Sequence, residues 1–169
     1  MDPGNRASIV LILEDVLFTA LVPGTVALFV PYRILASSGK LRLGEGGVLR
    51  FLGFVPILVG CAVYLWSIVA FARTGGGTPA PIDPPKTLVV RGPYRYTRNP
   101  MYLAVLLVIL GESLLFASGR LLAYAALLLA VFYSFVLLYE EPTLRRRFGM
   151  SCASYCARVP RWLFVRKAG

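Results

Sequence analysis

The sequence predicts an all-α fold: a polytopic transmembrane helical bundle of about four spans, with a C-terminal helical hairpin and an interfacial tail helix. Three observations predict it. Of 169 residues, 57% are hydrophobic and 15% charged; the mean hydropathy of +0.71 exceeds that of ordinary soluble domains; and four apolar stretches each approach the length that crosses roughly 30 Å of hydrocarbon. In lipid every backbone amide must be satisfied within its own segment, so such stretches are helices. One membrane domain is expected over residues 1–169, with two spans in 1–73 and a loop, a hairpin and a tail in 74–169.

The first span is expected at residues 9–30. Arg6 precedes it, Glu14 and Asp15 interrupt it and no A-x-A site follows, which reads as a retained anchor rather than a cleaved signal. Pro23-Gly24 predicts a kink. The second span is expected at residues 51–71, with Pro56 in its opening turn, where a missing amide matters least. The third and fourth, at residues 101–117 and 121–139, are separated only by Ser118, Gly119 and Arg120 and therefore form a tight antiparallel hairpin. Beyond Glu141 the tail reads as a short helix from Pro142, broken at Gly149 and resumed from Ser151 to Arg158. Trp162, Phe164 and the basic residues around them suit a headgroup layer, so the tail is expected to lie along the membrane.

Charge sets the expected orientation. The N-terminus, the second loop and the tail carry thirteen of the 18 basic residues, and the opposite side five, which places the first group in the cytoplasm. A net charge of +10 on a chain this apolar fits anionic headgroups better than nucleic acid, for which no reader motif is present. The second loop opens with Gly75-Gly76-Gly77 and continues through Pro79, Pro81, Pro84 and Pro85, a flexible connector that stiffens; its glycines lack the strand and spacing of a phosphate cradle. Histidine is absent, and Cys152 and Cys156 on one helix face do not make a metal site, so no metal is expected and the thiols are read as structural. Glu112 in the third span belongs near the far interface or in the bundle interior, since a mid-membrane acid costs about 2.5 to 3.5 kcal/mol.

Two polar clusters stand at the cytoplasmic ends of spans. One is the run from Arg91 to Tyr102, R-G-P-Y-R-Y-T-R-N-P-M-Y; the other is Glu140-Glu141. The hairpin returns both to one membrane face. Adjacent carboxylates at a helix C-terminus oppose the helix dipole, so a compensating cation is expected, with Arg98 or Arg95 well placed. Taken singly, these residues also fit a plain interfacial belt.

The order Gly92-Pro93-Tyr94, Arg98-Asn99-Pro100-Met101-Tyr102, Glu140-Glu141, Phe148-Gly149 and Val159-Pro160 resembles the isoprenylcysteine carboxyl methyltransferase and phospholipid methyltransferase group of integral membrane enzymes, over about half the chain. The resemblance implies a site for S-adenosylmethionine, with S-adenosylhomocysteine as product. Lys86, Thr87, Leu88, Val89, Tyr94, Asn99, Pro100, Met101, Tyr102 and Glu140 would bind the cofactor, and Arg98, Asn99 and Glu141 would serve catalysis. Two departures matter. Asn99 stands where the group usually has histidine, and Val136 where its eukaryotic carboxyl methyltransferases have a substrate-contacting arginine, which argues against a prenylcysteine acceptor.

The function expected is methyl transfer to a lipid or lipid-like apolar acceptor at the cytoplasmic face, in a form that resembles prokaryotic, inner-membrane members. The competing expectation is a non-catalytic helical subunit or small transporter with a structural Arg/Glu network. A transporter, however, gathers its charges near mid-bilayer, whereas these stand at one rim.

Overall fold

The computed structural model describes residues 21–39, 47–74 and 87–162. Among them all regular structure is helical. Helix α1 covers Leu21–Ser37; the wide π turn Thr25–Phe29 follows directly on Pro23-Gly24, where the sequence predicts a kink. Residues 9–20 of the expected first span lie outside the described residues, and the helix continues past Val30 to Ser37.

Helix α2 covers Val48–Thr74. It opens as a tight 3₁₀ segment, Val48–Gly53, and becomes α-helical at Phe54, so Pro56 does fall in an opening turn. Helix α3, Pro100–Leu115, has 16 residues and a length of about 24 Å. After Ala117, at φ +45°, Ser118 caps the next helix by accepting from the Leu121 amide. Helix α4, Gly119–Phe135, runs through a second π turn, Val136–Glu140, into α5, Glu141–Arg158. Gly149 at φ +49° and ψ −124° breaks α5 where the sequence places a break.

Two of these helices, Val48–Thr74 and the continuous Gly119–Arg158, are long and apolar enough to cross a membrane; Leu21–Ser37 and Pro100–Leu115 are shorter apolar helices. Leu58, Leu65, Leu122, Leu127 and Val131 point outward from the long pair, an apolar surface that suits lipid. The shorter α3 is the buried one, with Ala104 and Ile109 fully enclosed.

Helices α2 and α3 meet at backbone distance. A Cβ built on Gly53 would lie 2.5 Å from the Gly111 carbonyl oxygen, and one on Gly60 would lie 2.7 Å from that of Ala104. Small residues permit this approach, which dispersion between the two backbones then rewards. The pairing of 53 with 111 and of 60 with 104 is antiparallel, and it sets the start of α3 level with Tyr64. The stretch of α2 from Tyr64 to Thr74, about 15 Å, therefore stands above α3 as a wall. On the other side α1 joins the core through Ala27, which packs with Val105, Ile109 and Ala125, while the Tyr124 hydroxyl donates to the Val26 carbonyl at 3.0 Å. Glu112 lies half-buried in the last turn of α3, the end away from the wall, and no described group hydrogen-bonds its Oε2.

Candidate functional site

The loop before α3 packs on the wall. Gly92 adopts φ +58°, and a Cβ there would lie 2.7 Å from that of Ala70 and 3.2 Å from Trp66 Nε1, so both conformation and space require glycine. Tyr94 leans on Phe71 and Tyr96 on Trp66, with ring centroids 6.4 Å apart in each pair. Lower in the loop, Asn99 is non-helical, at φ −125° and ψ 55°, and Pro100 takes the first helical position, where its missing amide matters least.

Each expected site residue has a definite place, apart from Lys86, which lies outside the described residues. Thr87 donates to the Thr74 carbonyl at 2.6 Å and so ties the loop to the end of α2. Leu88 is half-buried and Val89 buried. The Tyr94 carbonyl accepts from the Tyr155 hydroxyl at 2.7 Å, and desolvation drives the Tyr94 phenol upward, keeping it neutral. Pro100 is buried and Met101 half-buried. The Tyr102 hydroxyl donates to Glu140 Oε2 at 3.0 Å, and its ring packs on Phe132 at 4.7 Å. This contact joins the entrance of α3 to the exit of α4, so the hairpin does bring the two clusters together.

The adjacent glutamates at the end of the second π turn point in different directions, as consecutive helical residues do, and have different partners. Glu140 meets Tyr102 on α3, whereas Glu141 starts α5 and meets two guanidinium groups. Arg98 Nη1 lies 3.0 Å from Glu141 Oε1. Arg161 is bidentate, donating from Nε to Oε1 at 2.6 Å and from Nη2 to Oε2 at 2.9 Å. The hydrogen bonds from Arg161, reinforced by the Arg98 charge, hold the Glu141 carboxyl below the usual glutamate range, and the same pairing raises Arg161. Of the two cations the sequence proposes as partners, Arg98 is in contact; Arg95 is exposed, and Arg161 takes the larger share.

Asn99 and Thr97 are buried and hold the tail. Asn99 Nδ2 and Thr97 Oγ1 both donate to the Arg161 carbonyl at 3.0 Å, and the Arg98 amide donates to that of Pro160 at 3.0 Å. In this structure the Asn99 side chain thus spends a donor on the protein's own backbone. Trp162 stacks half-buried on Tyr133, with centroids 6.2 Å apart. The two tail thiols touch, 3.8 Å apart, and Arg98 Nη1 donates to Cys156 Sγ at 2.9 Å. Burial pushes the Cys152 thiol up to about 11, which keeps it protonated.

Sequence reasoning missed Arg161, Tyr155 and Trp162 as members of this rim. The available signal was Val159-Pro160, which ends α5 and stiffens the approach to Arg161, but it does not say where the segment lands. Among the described residues the donors at the rim are also not all engaged: Arg98 Nε and Trp162 Nε1 are buried without an acceptor. Two open apolar grooves lie elsewhere. One, of about 390 Å³, is lined by Pro56, Leu110 and Leu122 among others, and the other, of about 580 Å³, lies along α1 from Gly24 to Tyr32.

A comparison with family models finds one described as phospholipid methyltransferase, which matches residues 48–151. No curated protein and no solved structure matches the chain.

Proposed function

Since the chain belongs to the phospholipid methyltransferase family, a family of integral membrane methyltransferases, we propose that it uses S-adenosylmethionine to methylate a lipid or lipid-like small molecule at the cytoplasmic face of a prokaryotic inner membrane. The observation that carries this reading is the rim itself. There the loop before α3, the exit of α4 and the tail meet through the contacts of Tyr102 with Glu140, of Arg98 and Arg161 with Glu141, and of Thr97 and Asn99 with the Arg161 carbonyl.

The donor set suits such a cofactor. Arg98 Nε and Trp162 Nε1 are unspent N–H donors for a carboxylate, Glu140 is an acceptor for an ammonium group or ribose hydroxyls, and Tyr94 and Tyr102 offer aromatic faces. When bound, the cofactor supplies an electrophilic methyl group on a sulfonium. The protein's task is chiefly positioning, which is worth roughly 7 to 11 kcal/mol at its favourable limit when reacting atoms are held in line and water is kept out. A carboxylate acceptor arrives ionised, whereas an amine must shed a proton, which a glutamate of the rim would take. Buried Val136, one turn before Glu140, offers no cation for a substrate carboxylate, so the reading favours acceptors other than a prenylcysteine.

The test is calorimetry of the detergent-solubilised protein with S-adenosylhomocysteine, followed by mass spectrometry of a membrane lipid extract incubated with methyl-labelled S-adenosylmethionine. Saturable binding and a labelled lipid are expected. Absence of binding would leave the Arg/Glu network as the structural ion-pair cluster of a non-catalytic membrane protein, and would overturn the proposal.

A further inference from the structure

We infer that Arg161 is a positioning residue of the cofactor site, and that the segment 159–162, beyond the family match ending at residue 151, completes that site. The inference rests on the functional reading above and adds a residue to it.

Arg161 is held from two sides at once. Its guanidinium fastens both oxygens of Glu141, while its carbonyl receives the Thr97 and Asn99 side chains. Thr97 is fully buried and Asn99 is 5% exposed, so losing the Arg161 carbonyl would leave buried donors without a partner. The conformation of the loop entering α3 thus depends on the tail being docked. That entry carries Tyr102, which reaches Glu140 only one turn further on. The chain of contacts runs from Arg161 through Asn99 and the start of α3 to Glu140, and separately through Glu141 to Arg98.

The same geometry divides labour between the glutamates. Both Glu141 oxygens are taken by guanidinium groups, so Glu141 anchors the rim. Glu140, whose Oε2 accepts from the Tyr102 hydroxyl, keeps acceptor capacity for a ligand. Lysine cannot substitute for Arg161, because a single ammonium cannot span both carboxylate oxygens in the plane that Nε and Nη2 occupy.

The experiment compares Arg161→Gln and Arg161→Lys with the unaltered sequence, all in a Cys61→Ser background that leaves only the tail thiols. Two quantities are read: S-adenosylhomocysteine affinity by calorimetry, and the rate at which a maleimide labels Cys152 and Cys156 in ligand-free protein. Both variants are expected to retain helical circular dichroism, to lose at least tenfold in affinity, and to label several-fold faster as the tail undocks. Adding Glu141→Gln to Arg161→Gln should recover part of the affinity, since it removes a carboxylate left short of partners. Unchanged affinity and labelling in both variants, with binding intact in the parent, would overturn the inference and leave the proposed function standing. Loss of helical structure in both would overturn it too, by making Arg161 a requirement of the fold. Failure of the parent itself to bind would instead sink the functional reading, and unchanged labelling in the variants would then sink the docking role on its own.

Discussion

The Tyr102 hydroxyl donates to Glu140 Oε2 at 3.0 Å and so bridges the first turn of α3 and the π turn that follows α4. Together with the Arg98–Glu141 ion pair it ties the two motif clusters together, and it is the first place to perturb.

Glu140→Gln should abolish measurable S-adenosylhomocysteine binding while leaving helical circular dichroism unchanged. Tyr102→Phe removes only the hydrogen bond to a carboxylate, worth about 1.5 to 3 kcal/mol, and should weaken binding roughly tenfold or more. Calorimetry at one detergent concentration separates the two. Near-normal affinity in the glutamine variant would refute the assignment of Glu140.

The acid limb of stability should report Glu141. Its folded carboxyl titrates below the unfolded value of about 4.3, so the ion pairs contribute fully above that pH. The contribution is lost as pH falls through the lowered folded value. The melting temperature of the parent should therefore drop over that interval more steeply than that of Glu141→Gln, and parallel curves would contradict the pairing.

Gly92→Ala should destabilise by about 1 to 3 kcal/mol, from the positive φ together with the collision at Ala70. Gly119→Ala, where an added methyl meets nothing within 4 Å, serves as the control and should be neutral or better. Thermal melts of the two variants decide it, and equal behaviour would mean that the loop does not rest on α2 as described.

Orientation is testable by a membrane-impermeant maleimide on sealed vesicles. In a background with the native cysteines replaced, Arg146→Cys should label from the cytoplasmic side and Arg120→Cys from the other. Labelling of both from one side would contradict a crossing between them.

Much of this arrangement is legible in the sequence because it is local. Ser118-Gly119-Arg120 marks the hairpin, Asn99-Pro100 starts α3, and Gly149 breaks α5, each through the backbone preferences of the residue present. The meeting of Tyr102 with Glu140 follows from the hairpin alone. Arg161 was not legible in the same way. Twenty residues and a glycine break separate it from Glu141, and its destination is decided by where buried donors on Thr97 and Asn99 need acceptors, a property of the assembled rim. The π turn Val136–Glu140 was equally hidden, since no residue type marks it.

The difference in height between α2 and α3 bears on how a methyl acceptor would arrive. With α3 beginning level with Tyr64, α2 rises about 15 Å past it, and the loop through Gly92, Tyr94 and Tyr96 covers that stretch. An acceptor with long hydrocarbon tails would therefore have to bring its head past that loop while its tails stay among the surrounding acyl chains.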